Sequence, residues 1–543
     1  MNEGKTPSDP PRPPRVLHSV SIITVMTAIS RTGGLVREVA MAYFFGTSAL
    51  KSAFDIAFIV PNLFRRLFGE GALSSAFVPL FGETLEKEGK ERACQFAMRV
   101  ITLLVIVLGV VTAAGVLLSH PAGHLLPPDS RWVLPLPMMR IMLPYALLIC
   151  VAALISGMLN TLGRFGVSSF TPFILNLVWI LALGVCFFLP NDADLRLKVL
   201  CWSILLAGAM QILFQLPALA SHGFRFGLIF SGLRDDPKLR RVLVLMAPAA
   251  LGMGLVQINV CVDKCLAYWA DPAAPAALEY AERIVYLPLG MFSTAFMTVL
   301  LPTFSRQATR GETGLMRDTL ERSMRNLMVI MAPCSAALAF LALPVIELIY
   351  GFKGGHFDHT SAVLSARALM VYAPGLLVFS MQQSLTPAFY GLQDLRTPVR
   401  VSMFGLIMNV TLNVASVILL PHGWKHAGIA GSTVLTSAVN SFTLATVLHK
   451  RIGAPRWSAI RRPLLRSVGA SLAMALSAAA VVGVATRAAD HAGCHAKVAQ
   501  LVGMAAAVAV AVAVYGSLMA LFGKSELREM VGEFRQRRAR KRG

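Results

Sequence analysis

Charged side chains lie inside three long apolar stretches of the sequence. They are Arg31, Arg37 and Glu38 in the first stretch, Asp55, Arg65, Arg66 and Glu70 in the second, and Glu279, Glu282 and Arg283 in the eighth. A charge at the centre of a bilayer costs at least about 2.5–3.5 kcal/mol on insertion scales. Such residues persist where they face a water-filled cavity or a group of opposite charge, so the pattern indicates a functional site.

The arginines in these stretches favour binding of an anion. A guanidinium stays charged, and its fork of donors pairs with two oxygens at once, which suits phosphate. Arg31 has no acid within one helical turn, and Arg66 must face a different way from Arg65. We predict a cationic cavity between two lobes. The alternative is ion pairing within the bundle: Arg37 with Glu38 or Glu70, Arg66 with Glu70, and Arg283 with Glu279.

A second group of residues could bind a cation. Asp263 lies in QINVCVDKCLAYW, and Asn409 and Asn413 lie one turn apart in GLIMNVTLN. Oxygen ligands of this kind suit Na⁺ or a proton relay. Lys264 adjoins Asp263, but consecutive residues of a helix point apart. The alternative is a network of hydrogen bonds between helices.

The composition places these residues in a membrane. Of 543 residues, 56% are hydrophobic and only 14% are charged, whereas a soluble domain has about 25% charged residues. A spanning helix needs about 20 mostly apolar residues, and about fourteen such segments occur. They are 17–45, 52–81, 93–118, 133–160, 168–189, 197–219, 241–269, 278–304, 324–351, 363–391, 398–420, 427–448, 463–485 and 497–522. We therefore expect an all-α polytopic membrane protein.

The basic residues predict the orientation of these segments. The formal net charge is +22, but Lys and Arg concentrate at the ends of apolar segments on one side, including 234–241, 306–325 and 450–466. This is the positive-inside pattern, and it places both termini in the cytoplasm. A basic tail beside a membrane touches anionic lipid head groups more often than nucleic acid, so no nucleic-acid partner is expected.

An internal repeat predicts the architecture. Segment 74–99 resembles 294–325, with Pro79 at the position of Pro302, and 159–170 resembles 389–399, with Arg164 opposite Asp394. Two six-helix lobes related by a pseudo-two-fold axis along the membrane normal follow, with two extra helices after them. The predicted divisions are a disordered N-terminus 1–16, an N-lobe 17–220, a cytoplasmic linker 221–240, a C-lobe 241–450, helices 13 and 14 in 451–522 and a basic tail 523–543.

The sequence contains no GxxxxGK[ST], HExxH or GxSxG motif. We therefore expect a transporter rather than an enzyme, without a cofactor. A transporter that lacks an ATP site must use an ion gradient, the membrane potential or the gradient of its substrate.

Four runs of residues carry a resemblance to a known family. SRTGGLVRE, VPNLFRRLFGEGALSSAFVP, YAERIVYLPLGMF and FYGLQDLRTPV resemble the MurJ (MviN) lipid II flippases of the multidrug/oligosaccharidyl-lipid/polysaccharide exporter superfamily. The resemblance implies a fourteen-helix protein of the bacterial inner membrane, with two six-helix lobes around a V-shaped cavity. It implies that lipid II, an undecaprenyl pyrophosphate carrying a disaccharide–pentapeptide, moves from the cytoplasmic to the periplasmic leaflet by alternating access. Helices 13 and 14 would form a groove for the lipid tail.

The resemblance also assigns roles to residues of this sequence. It implies that the pyrophosphate is bound by the arginines Arg31, Arg37, Arg65 and Arg283. It implies that the supporting acids are Glu38, Glu70 and Glu282. It implies that the Na⁺ ligands are Asp263, Asn409, Asn413 and Thr433. At two positions where relatives carry an acid, this sequence has an uncharged residue. Asn413 stands where a family ligand is a carboxylate. Ser52 stands where many relatives have Asp, with Asp55 three residues later on roughly the same face.

Rival functions predict different residues. A drug/cation antiporter of the same superfamily would need acids and aromatic residues to hold an organic cation. Another polyprenyl-pyrophosphate glycolipid flippase would share the arginines. A scaffold for envelope assembly has little reason to keep Arg31 and Arg283 at bilayer depth, and a glycosyl or acyl transferase would need a catalytic Asp or His pair. The expected partners are lipid II, membrane lipids and the machinery of cell-wall synthesis and division.

Overall fold

The structure is a computed structural model that describes residues 16–69, 72–127, 129–233, 235–453, 456–492 and 496–523. All regular elements in these ranges are helical, which confirms the predicted all-α class. An apolar segment in lipid must satisfy its backbone hydrogen bonds internally, and a helix does so. The α-helices are α1 Val16–Phe45, α2 Ala49–Phe64, α3 Ala72–Glu88, α4 Lys90–Leu125, α5 Pro135–Met142, α6 Tyr145–Thr161, α7 Phe165–Val185, α8 Ala193–Ser221, α9 Pro237–Ala270, α10 Ala274–Pro288, α11 Thr294–Thr309, α12 Thr313–Phe340, α13 Ala342–Tyr350, α14 His359–Tyr372, α15 Gly375–Gly391, α16 Arg396–Leu419, α17 Lys425–Ile452, α18 Trp457–Ala492 and α19 Ala496–Phe522.

Several of these helices have the length and composition of membrane spans. Within the described ranges, seven are long and apolar enough to cross a bilayer alone, and the bent pairs α5–α6 and α14–α15 bring the number to nine. The second and eighth stretches, which carry charges, are divided into shorter pieces, because α2 and α10 end at π-helical segments after 16 and 15 residues. The count of fourteen spans stays a prediction. The N-terminus before residue 16 and the tail after residue 523 lie outside the described residues.

The chain divides into two compact units. The first comprises Met1–Glu38, Val60–Pro128 and Leu136–Leu251. In its core, α3 and α4 pack together and both contact α6. Phe77 stacks on Phe81 and Phe96 with ring centroids 5.5 and 5.8 Å apart, and Phe224 lies 5.9 Å from Phe81. Residues 16–38 and 60–69 bring the charged part of α1 and the end of the second stretch into this unit.

The described residues of segment 221–240, predicted as a linker, belong to this same unit. Arg99 of α4 pairs with Asp236 at 2.9 Å, and Lys238 pairs with Glu88 of α3 at 2.5 Å. The backbone N–H of Ile229 donates to a side chain of α4. The segment is therefore fastened by charge pairs, while its cytoplasmic location stays a prediction.

The second unit comprises Val39–Ile59, Asp129–Pro135 and Gly252–Gly543. Tyr280, Tyr350 and Phe357 form one aromatic core, with ring centroids 4.9–5.6 Å apart. The helix α1 ends in this unit at Phe45. The next residue is Gly46, whose φ of +53° suits glycine and whose missing side chain lets the His356 carbonyl approach. The last two helices, α18 and α19, pack along each other, and α18 also packs against α12.

Local irregularities recur at positions that the sequence repeat relates. The pair α5–α6 bends by 43° and α14–α15 by 47°. The break before α6 falls at Pro144 and the break before α15 at Pro374, and these prolines precede Arg164 and Asp394 by the same number of residues. The π-helical segments Arg65–Gly69 and Leu289–Ser293 likewise precede Pro79 and Pro302 by almost equal intervals. Both copies therefore carry the same two kinds of helix break.

Candidate functional site

Arg37 of α1 is almost fully buried, with 8% of its surface exposed. Its Nη2 atom lies 2.6 Å from Oε1 of Glu38, and its Nη1 atom donates to Oδ1 of Asn176 at 3.1 Å. The guanidinium carbon lies 4.3 Å from the ring centroid of Trp179, a cation–π contact. Of the two acids considered as partners, Glu38 forms the pair, and Glu70 lies outside the described residues. Arg37 is therefore held by α7 as well as by its own helix.

Arg31 has different surroundings on the same helix. Its side chain is exposed, and among the described residues its guanidinium has no ion-pair or hydrogen-bond partner. The carbonyl of Ser30 accepts a hydrogen bond from Nδ2 of Asn176 at 3.0 Å, which fixes this turn of α1 against α7. A guanidinium facing lipid would be costly, so Arg31 requires water or an anionic ligand.

Arg65 begins the π-helical segment Arg65–Gly69, which follows α2 directly. Short π-helical insertions are frequent at functional sites. The half-buried Arg65 donates from Nε to Oδ1 of Asn62 at 3.0 Å, whereas Arg66 is exposed. The two adjacent arginines thus face different surroundings, as the sequence predicts.

In the second unit, Lys264 and Arg283 share the carboxylate of Glu279. The Nζ atom of Lys264, on α9, lies 2.8 Å from Oε2. The Nη2 atom of Arg283, one turn after Glu279 on α10, lies 3.7 Å from Oε1. The Arg283 side chain is 40% exposed and that of Lys264 is 23% exposed. The ion pair expected as an alternative for Arg283 is therefore present, but Lys264 holds the carboxylate more closely.

Glu282 is the neighbour of Arg283 in the sequence and faces another helix. Its Oε1 atom accepts a hydrogen bond from the hydroxyl of Tyr372 at 3.4 Å. Tyr372 is the last residue of α14, directly before the bend to α15. Glu282 therefore joins the α10 charges to the irregular helix of this unit.

Asp55 forms a buried pair with Lys51, one turn earlier on α2. The Nζ atom lies 2.5 and 2.7 Å from the two carboxylate oxygens, and only 1% of Lys51 is exposed. The same Nζ atom lies 5.4 Å from the ring centroid of Tyr280. Ser52 is fully buried, and its hydroxyl accepts from the backbone N–H of Ala276 at 3.4 Å. The acid on this helix therefore engages a lysine, while the serine contacts the backbone of α10.

The expected cation ligands come together in the second unit. Nδ2 of Asn413 donates to Oδ1 of Asp263 at 2.5 Å and to Oδ1 of Asn409 at 2.9 Å. Asn259 donates to the other oxygen of Asp263 at 3.4 Å. The hydroxyl of Thr433, the fourth expected ligand, donates to the backbone carbonyl of Ile429 at 3.2 Å. The sequence-based grouping of α9 and α16 is thus present as a polar cluster.

Oxygen atoms in this cluster are suited to a hard cation. The side-chain oxygens of Asn259 and Asn413 are buried without a hydrogen-bond partner. Buried polar atoms are normally satisfied, so an orphaned pair beside a carboxylate is the environment that an oxygen-binding ion completes. In the described part of the chain, no group of three or more His, Cys, Asp or Glu residues could hold a metal ion. Any cation here would depend on the single carboxylate of Asp263 together with amide and hydroxyl oxygens.

Sequence reasoning missed several residues of these clusters. Asn176 and Trp179 carry no charge, so nothing in the sequence connects them to Arg37. Nothing in the sequence connects Tyr372 to Glu282 either. The Lys51–Asp55 pair has the i,i+4 spacing of a helical ion pair and was detectable. The pairing of Lys264 with Glu279 depends on the packing of two helices.

Comparisons with known proteins identify the family of this chain. A family model described as lipid II flippase MurJ matches residues 41–519. A protein of Rhizobium meliloti (strain 1021), described as a probable lipid II flippase MurJ, is 34% identical over 426 residues, which cover 77% of this chain and 78% of that protein.

Solved structures share the fold. A lipid II flippase MurJ in an inward closed conformation superimposes with a TM-score of 0.73 at 21% identity, covering 93% of this chain and 99% of the other. An inward-facing multidrug resistance MATE family transporter of the MOP superfamily gives a TM-score of 0.63 at 15% identity, covering 81% of this chain and 99% of the other.

Proposed function

Because the chain belongs to the lipid II flippase MurJ family, we propose that it moves lipid II from the cytoplasmic to the periplasmic leaflet of the bacterial inner membrane by alternating access. It is a transporter and not an enzyme. Lipid II carries a pyrophosphate between its polyprenyl tail and its sugars. The pyrophosphate is the part of the substrate that apolar helices cannot accommodate without cationic partners.

The exposed guanidinium of Arg31 is the observation that carries this proposal. It lies in a long helix, and no described carboxylate neutralises it. Arg37, two turns further along, has a carboxylate, an amide and an indole around it. A pair of phosphate oxygens matches the guanidinium fork and would supply the negative charge that no described carboxylate provides.

The four predicted arginines divide into two roles under this proposal. Arg31, Arg65 and Arg283 are half-buried or exposed, and each acts as an anion contact. Arg37 acts as a positioning residue, because its pair with Glu38 and its contacts with α7 fix the helix that carries Arg31. Glu282 and Asp55 support their own unit through Tyr372 and Lys51.

Na⁺ is the proposed coupling ion. Asp263, Asn409, Asn413 and Thr433 would hold it, with Asn259 as an additional oxygen donor. A bound Na⁺ would neutralise the Asp263 carboxylate and link ion entry to the arrangement of α9 and α16. The amide in place of a carboxylate at Asn413 reduces the negative charge of the site, so we expect weak binding.

The last two helices are proposed to contact the lipid tail. Large apolar side chains of α19 are exposed, including Val498, Leu501, Val502, Val508 and Val512. An apolar surface of this length suits a polyprenyl chain or bilayer lipid. The distribution of basic residues in the loops supports a further part of the proposal, that both termini lie in the cytoplasm. We also propose that the protein contacts proteins of cell-wall synthesis and division.

A leaflet-accessibility assay tests the function. Cells depleted of their own flippase accumulate labelled lipid II in the inner leaflet, and expression of this chain should return it to the outer leaflet. The matched control is the Arg31→Ala variant, which should insert into the membrane but should not transport lipid II. If the wild-type chain inserts and the label stays inside, the proposed function is wrong.

A further inference from the structure

The end of α4 carries two histidines one helical turn apart. His120 and His124 are both exposed, and the centroids of their imidazole rings lie 6.1 Å apart with 30° between the ring planes. Among the described residues, neither ring forms a hydrogen bond or an ion pair. The two imidazoles therefore lie side by side, and their ring nitrogens are available to an external ligand.

Only the structure brings these two side chains to one face of a helix. His120 and His124 belong to the run HPAGH, in which a proline and a glycine separate the histidines and indicate a turn or a loop. The structure instead continues α4 through this run to Leu125. Residues four apart on a helix are neighbours, and the same spacing places two imidazoles on one Zn²⁺ in the helical HExxH motif. The pair therefore has the spacing of a metal chelate.

The distance between the rings is close to that of a chelating pair. A tetrahedral ion that is bound at about 2.1 Å by one nitrogen of each ring would hold the ring centroids about 5 Å apart. The observed separation is 6.1 Å. A small rotation about the side-chain torsions of two exposed residues removes the difference of about 1 Å. The helix thus already presents both rings to one ion.

The charges around the pair allow a cation to bind with modest affinity. The last carbonyls of a helix carry partial negative charge, and His124 lies in the last turn of α4. Arg140 of α5 already lies against this end of the helix, where it donates to the hydroxyl of Ser119 at 2.9 Å and to the carbonyl of Ser119 at 2.6 Å. Ser119 points about 100° away from His120 around the helix, and the positive charge of Arg140 lowers the affinity for a second cation. We therefore expect micromolar rather than nanomolar binding.

We propose that His120 and His124 bind one divalent transition-metal ion of the class of Zn²⁺, Cu²⁺ and Ni²⁺, with water at its remaining coordination positions. Imidazole suits these ions, whereas Mg²⁺ and Ca²⁺ prefer oxygen ligands. In the part of the chain that the structure describes, no third His, Cys, Asp or Glu completes the set. The protein therefore supplies two ligands, and the site stays open to solvent. This inference does not depend on the proposed transport of lipid II.

Two histidines that bind metal separately predict a different response to substitution. In a chelate both imidazoles hold the same ion, so removing either ring removes most of the affinity and removing the second ring costs little more. Separate ligands would each keep their own ion. Each single variant would then retain about half of the bound metal, with the affinity of the remaining histidine unchanged.

The test measures Zn²⁺ binding by isothermal titration to the purified full-length chain, prepared in detergent with an affinity tag that contains no histidine. We expect binding at least about tenfold weaker in His120→Gln, in His124→Gln and in the double variant. An excess of Mg²⁺ should not compete. The control is His449→Gln, which removes an exposed histidine of α17 without a second histidine one turn away and should bind Zn²⁺ like the wild type.

Two outcomes overturn the inference. Equal Zn²⁺ binding by the wild type and the double variant would show that no ion binds between the rings. Loss of about half of the metal in each single variant, at unchanged affinity, would show that the histidines bind separately. Thermal unfolding without metal should be the same for all variants, because both side chains are exposed. His120→Asn and His124→Asn serve if a glutamine variant does not fold.

Discussion

The guanidinium of Arg37 lies 2.6 Å from the carboxylate of Glu38, the next residue in the chain. Consecutive residues of a helix point about 100° apart, so the contact requires the long arginine side chain to turn along the helix surface. Asn176 accepts a hydrogen bond from the other terminal nitrogen of the same group. The pair is thus a buried unit, and it fixes α1 against α7.

Replacing Arg37 by Met should destabilise the protein by about 3–5 kcal/mol, because it leaves the Glu38 carboxylate buried without its counter-ion. The double variant Arg37→Met/Glu38→Gln should recover most of this loss. Thermal unfolding of the purified chain in detergent measures both. Equal unfolding temperatures for the single variant and the wild type would contradict the assignment of Arg37 as a positioning residue.

Replacing Arg31 or Arg283 by Ala should reduce lipid II transport at least about tenfold, since each variant removes a charge-assisted contact to the pyrophosphate. Growth of cells depleted of their own flippase and the leaflet-accessibility assay measure the effect. Both variants should accumulate in the membrane at wild-type levels. The control is Arg66→Ala, which removes an exposed arginine adjacent to Arg65 and should transport normally. Normal growth with both Arg31→Ala and Arg283→Ala would exclude the anion contacts.

Replacing Arg65 by Lys should lower transport about fivefold if the guanidinium makes a bidentate contact, because an ammonium keeps the charge but not the fork of donors. The comparison with Arg65→Ala in the same transport assay separates charge from geometry. Full activity of the lysine variant would indicate that charge alone is sufficient at the start of the π-helical segment.

Replacing Asn413 by Asp should strengthen Na⁺ dependence, because a second carboxylate beside Asp263 increases the negative charge that a cation neutralises. Asn413→Leu should abolish any stimulation of transport by Na⁺. Transport in Na⁺ and in choline buffers measures both, and Thr411→Ala, an exposed position of the same helix, is the control. If the wild type and Asn413→Asp both transport equally with and without Na⁺, the cluster is a structural hydrogen-bond network.

The sequence already contained the class of fold and the charged residues of the site. Low charge over so long a chain requires a bilayer, and a bilayer requires helices. Arginines within apolar stretches are visible without coordinates, as is the repeat that relates Pro79 to Pro302. The two matching sets of helix breaks were not predicted in detail, because a bend or a π-helical segment depends on how neighbouring helices pack.

The sequence did not determine which partner each charged side chain contacts. Glu38 and Glu70 were equal candidates for Arg37, and the packing of α1 against α7 brought in Asn176 and Trp179, two uncharged residues far along the chain. The i,i+4 rule favoured Arg283 for Glu279, yet Lys264 from another helix lies closer to that carboxylate.

The sequence by itself determined that this is an all-helical membrane protein of the lipid II flippase MurJ family with cations kept among apolar residues. Only the tertiary structure decided which of those cations are neutralised, as Arg37 is, and which stay accessible, as Arg31 does. The reason is physical: helical periodicity fixes which residues share a face of one helix, whereas the distance between charges on different helices is set by how those helices pack.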